Sequence, residues 1–101
     1  MANFVRVAAV TDIPAGQGKA VEVAGTQMAI FNCDGAFYAI DNVCRHKGGP
    51  LGEGEVSGTT VTCPWHGWTY DLTTGESHDD PECHVACYPV RVDGDDVLVG
   101  I

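Results

Sequence analysis

At 101 residues and 10.7 kDa the chain has room for a single domain, 1–101, and a core too small for both a cofactor and a separate substrate domain, which excludes a large multistep enzyme. A formal charge of −9 with only five Lys and Arg argues against nucleic acid and against an anionic membrane surface, both of which need basic clusters. No apolar run approaches the roughly 20 residues that span a bilayer. The opening "MANFVRVAAVTDIPAG" lacks the charged start and long apolar stretch of an export signal, so a soluble, cytoplasmic protein is expected.

Strand-forming runs recur at short intervals along the chain: residues 4–10, 20–24, 27–32, 37–40, 61–63, 68–72, 86–92 and 97–101. They are rich in Val, Ile and aromatic residues and separated by turn formers, the pattern of an all-β sandwich or barrel. A short turn is expected at Thr11-Asp12-Ile13-Pro14. Asp34-Gly35 and Asp93-Gly94 each separate two strand runs, and Asp-Gly supplies the positive φ that tight hairpins require. No stretch shows sustained helical periodicity, and there are neither repeats nor linkers.

Five cysteines are an odd count that does not fit a fully paired disulfide scaffold. Cys33, in "NCDG", is expected as a small half-buried residue at a turn. Cys83 and Cys87, in "ECHVAC", could chelate a metal only if the backbone curled there, and are read as structural. The remaining two lie in a different setting. Cys44-Arg45-His46 and Cys63-Pro64-Trp65-His66 each offer one thiolate and one imidazole, with residues 47–62 between them. A finger-type zinc site pairs two Cys in one knuckle and two His in the other. Here the ligands are mixed within each knuckle. That suits a two-iron centre in which each knuckle gives its Cys to one iron and its His to the other.

The segment from Cys44 to Gly75, "CRHKGGPLGEGEVSGTTVTCPWHGWTYDLTTG", resembles the cluster-binding region of the Rieske family, and the likeness extends over the whole chain. The resemblance implies an antiparallel β-sandwich or barrel with a two-loop cluster-binding subdomain at one end, spanning about 43–83. It implies one [2Fe-2S] cluster held by Cys44, His46, Cys63 and His66. It also implies a third, proline-bearing loop against the cluster, Asp79-Asp80-Pro81-Glu82 here. Pro81 suits that place, because a ring with a fixed φ and no N–H presents no competing donor. The tips of His46 and His66 are expected at the surface, framed by Lys47, Gly48, Trp65 and Pro81 as a docking site. Trp68, Tyr70 and Phe37 are expected in the core.

Two ferric ions, two sulfides and two thiolates sum to no formal charge, whereas four thiolates leave a dianion. Histidine ligation therefore lifts the potential to roughly −150 to +300 mV, from about −400 mV for all-Cys plant-type centres. The high-potential branch of the family carries a disulfide between the two cluster loops, at positions that match Gly49 and Trp65, and a serine hydroxyl at the position of Trp68. Tyr70 falls where that branch has a tyrosine hydroxyl aimed at a ligand sulfur. With fewer donors to the reduced cluster, the low end of the range is expected.

By resemblance the protein is a ferredoxin: a one-electron carrier between a flavoprotein reductase and a terminal oxygenase, such as an aromatic-ring hydroxylating one, itself converting no substrate and monomeric when free. Three other readings compete. A small subunit of a nitrite-reductase-like enzyme shares the fold, but that branch often lacks the cluster ligands, all four of which are present here. A zinc-bound interaction module would be colourless. A mononuclear-iron oxygenase would need "HDDPECH" (78–84) as a ligand set, yet those residues crowd one loop and the chain has little room for a substrate pocket.

Overall fold

The computed structural model describes residues 3–43, 49–65, 67–78 and 84–100. Ten strands occur among them: β1 (Phe4–Ala9), β2 (Gly18–Val23), β3 (Thr26–Cys33), β4 (Ala36–Asp41), β5 (Glu55–Ser57), β6 (Thr60–Thr62), β7 (Thr69–Asp71), β8 (Cys87–Tyr88), β9 (Val90–Asp93) and β10 (Asp96–Gly100). Two 3₁₀ turns, Val10–Asp12 and Leu51–Glu53, complete the regular structure of the described residues. None of the helices among the described residues is long and apolar enough to cross a membrane.

The strands form three antiparallel sheets, ordered β1-β10-β9, β2-β3-β4-β8 and β5-β6-β7. Strand β3 of the middle sheet is buried on both faces. Successive side chains of a strand point to opposite sides. Met28 and Ile30 of β3 accordingly join one core with Ala8, Ile13, Val97 and Val99. Ala29 and Phe31 join the other, with Leu51, Val61, Cys63, Tyr70, Leu72 and Val85. Strand β4 divides the same way, Ala39 to the first core and Ile40 to the second. This double burial explains the unbroken apolar run "MAIF" where a half-exposed strand would alternate. Truncating Phe31 to Ala would cost about 3–5 kcal/mol, as for a fully enclosed aromatic.

The two cores divide the labour. The first fastens the β1-β10-β9 sheet to the middle sheet, and the second is the floor on which the β5-β6-β7 sheet stands. Cys63 lies in that floor. The all-β expectation holds, with particular corrections. Residues 86–92 do not form one strand: Pro89 interrupts them, leaving β8 in the middle sheet and β9 in the outer one. Strand β5 and the Leu51–Glu53 turn fall where no strand or helix was expected. Cys33 closes β3 and is half-buried, so its small-residue reading stands although the turn begins one residue later.

The hairpins also differ in detail. Cys33 pairs with Ala36, which makes Asp34 (φ 56) and Gly35 (φ 96) the two turn residues, as expected for an Asp-Gly hairpin. At the last hairpin Asp93 pairs with Asp96, so the turn is Gly94-Asp95, one residue on from the expected Asp93-Gly94. Ala24, assigned to a strand by its sequence, occupies a tight turn with Gly25 at φ 50. The 3₁₀ turn begins at Val10, one residue ahead of the expected site, and the Ala9 amide donates to Asp12 Oδ2 at 2.9 Å.

Candidate metal centre

Both knuckles belong to loops whose stems are pinned. The first loop leaves β4 after Asp41 and is closed by an isolated antiparallel bridge between Val43 and Pro50. Directly beneath it, the Leu51 amide donates to the Asn42 carbonyl at 2.7 Å and the Gly52 amide to Asn42 Oδ1 at 2.7 Å. The second loop joins β6 to β7, whose last pair is Thr62 with Thr69. The Cys63 amide donates to the Trp68 carbonyl at 2.7 Å, closing the loop at its base.

The loops meet at the cysteine. A Cβ on Gly49 would lie 2.8 Å from Cys63 Sγ and 3.0 Å from Trp65 Cβ, so the C-terminal side of the first loop rests directly on the second. Cys63 is 2 % exposed and its thiol is seated in the second core, while Trp65 is 50 % exposed. A third segment comes off beside them: the His78 amide donates to the Thr69 carbonyl at 3.0 Å, Tyr70 bridges Ser77, and Glu76 bridges His84, which brackets residues 79–83. All three segments thus issue from one end of the β5-β6-β7 sheet.

Of the expected ligands, the structure places Cys63. Cys44, His46 and His66 lie outside the described residues, as do Lys47, Gly48 and Pro81 of the expected docking rim. The two stems nonetheless fit a centre shared by both loops. A buried sulfur faces a glycine whose missing side chain keeps the loops in contact, and the Val43–Pro50 bridge closes the first loop next to that glycine. Of the other residues singled out, Trp65 is half exposed, and Trp68 is half-buried against the second core. Tyr70 is fully enclosed in the same core as Cys63. Phe37 packs on the first core. The positions identified with a disulfide in the high-potential branch, 49 and 65, do face each other here, and Gly49 and Trp65 cannot form one.

Nothing in the surroundings of the two other described thiols favours the thiolate. Burial raises the pKa of Cys33, and burial followed by the charges of Asp71 and Asp41 raises that of Cys87. Thiols held protonated are poor ligands. Cys83 lies outside the described residues. His78 and His84 are exposed, and the carboxylates that would join them in a mononuclear site, Asp79, Asp80 and Glu82, also lie outside.

The sequence reading passed over Asp41 and Asn42. Asp41 Oδ1 accepts from the Tyr88 hydroxyl at 2.7 Å and Oδ2 from the Ala86 amide at 3.0 Å, tying the stem of the first loop to the strand that follows the third. Asn42 is a buried polar residue, 7 % exposed. Their one sequence signal is position: a polar pair between an apolar strand and a ligand knuckle.

Comparison with known proteins agrees with this geometry. Over 99 residues the chain is 35% identical to a biphenyl dioxygenase ferredoxin subunit of Pseudomonas sp. (strain KKS102), covering 96% of this chain and 91% of that one. The ferredoxin of carbazole 1,9a-dioxygenase from Nocardioides aromaticivorans superposes with a TM-score of 0.89 at 30% identity, over 96% of both chains. A protein of Mycobacterium tuberculosis assigned as the small subunit of an NADH-dependent nitrite reductase superposes with a TM-score of 0.93 at 28% identity, over 100% of this chain and 96% of that one. The sequence pattern of the Rieske [2Fe-2S] domain runs from residue 3 to residue 89, through both loops and the sheets that carry them, and on that evidence the chain belongs to the Rieske [2Fe-2S] family.

Proposed function

We propose that the protein is a soluble, cytoplasmic one-electron carrier that takes electrons from a flavoprotein reductase and delivers them to a terminal, aromatic-ring hydroxylating oxygenase. A [2Fe-2S] cluster bound by Cys44, His46, Cys63 and His66 supplies the redox chemistry. The observation that carries this reading is the seating of Gly49 on Cys63 Sγ, which brings the stems of two mixed Cys/His knuckles to one point. The protein's own part is to hold and shield. Cys63 and Tyr70 sit in an apolar core that keeps water from the thiolate side, and the exposed Trp65 offers a partner an aromatic contact beside a ligand loop.

The two ferredoxin relatives serve biphenyl and carbazole dioxygenase systems, and the present chain spans nearly all of each. A second reading, subunit of a nitrite reductase, has the high TM-score in its favour. All four ligand residues in this sequence weigh for the carrier. The deciding experiment is stopped-flow oxidation of the reduced, iron-reconstituted protein. Rapid single-electron oxidation by a ring-hydroxylating oxygenase is expected, with no turnover of an aromatic substrate by the protein alone. Oxidation only in the presence of a nitrite reductase large subunit and nitrite would reverse the assignment.

A further inference from the structure

Asn42 stands two residues before the first ligand, and nothing in ligand chemistry requires it. Its contacts nevertheless form a clasp. The 3₁₀ turn Leu51–Glu53 begins after Pro50, which caps neither of the first amides, and the first amides of a helical turn have no partner within it. Asn42 takes both: its carbonyl accepts from Leu51 N–H at 2.7 Å and its Oδ1 from Gly52 N–H at 2.7 Å. Its own amide donates to the Gln27 carbonyl at 3.0 Å, which anchors the clasp to the middle sheet. The fit is close, since a Cβ on Gly52 would stand 2.9 Å from Asn42 Oδ1.

The clasp fixes more than its own loop. Leu51 and Gly52 follow Pro50 and Gly49, and Gly49 is the residue that rests on Cys63 Sγ and Trp65. One short run of chain thus connects the Asn42 side chain to the sulfur of the second loop. In the mixed-ligand arrangement each iron takes one ligand from each loop, so the separation of the loops is itself a coordinate of both metal sites. We propose that Asn42 is a positioning residue for the cluster: by clasping Leu51 and Gly52 it sets where the first ligand loop stands against Cys63. This rests on the assignment of a cluster shared by the two loops. Side chains that orient ligands from behind typically alter metal affinity by about 10–100-fold when removed, whereas a residue that merely stabilises the fold leaves the metal's signature alone.

The test uses the full-length, iron-reconstituted protein and three variants. Asn42→Ala removes the Oδ1 acceptor, Asn42→Asp keeps it, and Gly52→Ala presses on the same contact from the other side, its Cβ also coming within 3.0 Å of the Ala20 backbone. Each is measured by the electron paramagnetic resonance spectrum after reduction and by the rate of iron loss to a chelator. Asn42→Ala is expected to change the g-values and to lose iron about tenfold faster, while Asn42→Asp keeps both close to the parent. If Asn42→Ala does not fold, Gly52→Ala is expected to show the same two changes in a folded protein. Variants with lowered melting temperature but unaltered spectrum and iron release would overturn the positioning role. A parent protein that assembles no two-iron centre would instead overturn the cluster assignment itself.

Discussion

Gly49 and Cys63 are in contact across the two ligand loops, with room for a hydrogen and not for a methyl: a Cβ at Gly49 would come within 2.8 Å of Sγ. Real Cβ atoms do not approach a neighbour so closely, and the neighbour here is a proposed ligand atom at the top of a packed core, where neither side yields cheaply. Gly49→Ala is therefore expected to push the loops apart and leave a protein that folds but takes up well under its full complement of iron. Iron and sulfide per chain, read beside the melting temperature, check this.

Ligand substitution separates the proposed set from the bystanders. His46→Ala or His66→Ala is expected to abolish the visible spectrum of the native cluster. Cys83→Ser and Cys87→Ser are expected to leave it unchanged, because both lie outside the two mixed knuckles and the pKa of the Cys87 thiol is raised by partial burial and by Asp71 and Asp41. Loss of the cluster in either serine variant would show that "ECHVAC" contributes a ligand.

The reduction potential should lie at the low end of the Rieske range. Gly49 and Trp65 face each other without a disulfide, and position 68 is a tryptophan with no hydroxyl to offer a sulfide. Each missing donor leaves the added electron less compensated, so protein-film voltammetry at pH 7 is expected to give a midpoint nearer −150 mV than +300 mV. A value well above zero would mean that the Tyr70 hydroxyl and backbone amides outweigh those losses.

The Tyr88 hydroxyl donates to Asp41 Oδ1 at 2.7 Å, and its pKa is pushed up to about 12, chiefly by burial and further by the Asp41 bond and charge. A group whose pKa is raised on folding contributes stability that is complete below its unfolded value, near 10, and is lost as pH rises toward 12. Denaturant unfolding of the parent is expected to weaken over that alkaline window. Tyr88→Phe should be less stable at neutral pH and flatter above pH 10. Equal slopes in the two proteins would exclude the pair as the cause.

Ala24 sits at φ 50 in a two-residue turn before Gly25, a conformation that costs an L-residue with a Cβ roughly 1–2 kcal/mol. Asn tolerates it, and Asn-Gly is the favoured pair for such hairpins. Ala24→Asn is expected to raise stability by about 1 kcal/mol with no effect on the cluster spectrum, as measured by urea midpoint.

Much of this protein was legible before any fold was known, for a local reason. Cys44, His46, Cys63 and His66 declare a candidate ligand set by residue type and short spacing, and the density of Val, Ile and aromatic residues between turn formers declares a strand at 4–10 or 27–32, because both are properties of adjacent residues. What the chain order could not convey is contact between distant residues. That β3 is buried on both faces depends on two other sheets closing over it. Pro89 divides a continuous apolar run because its two halves pair with different strands, and β5 exists only through its partner β6, since "EVS" carries no strand signal of its own. The same holds at the site. By sequence Gly49 is marked only as a position matched to a disulfide in another branch, and its contact with Cys63 appears only in the fold, as does the return of Leu51 and Gly52 to Asn42. The candidate ligands are named by the residues themselves, whereas the meeting of their loops at Gly49 and Cys63 is decided by packing and hydrogen bonds between segments that only the folded chain brings together.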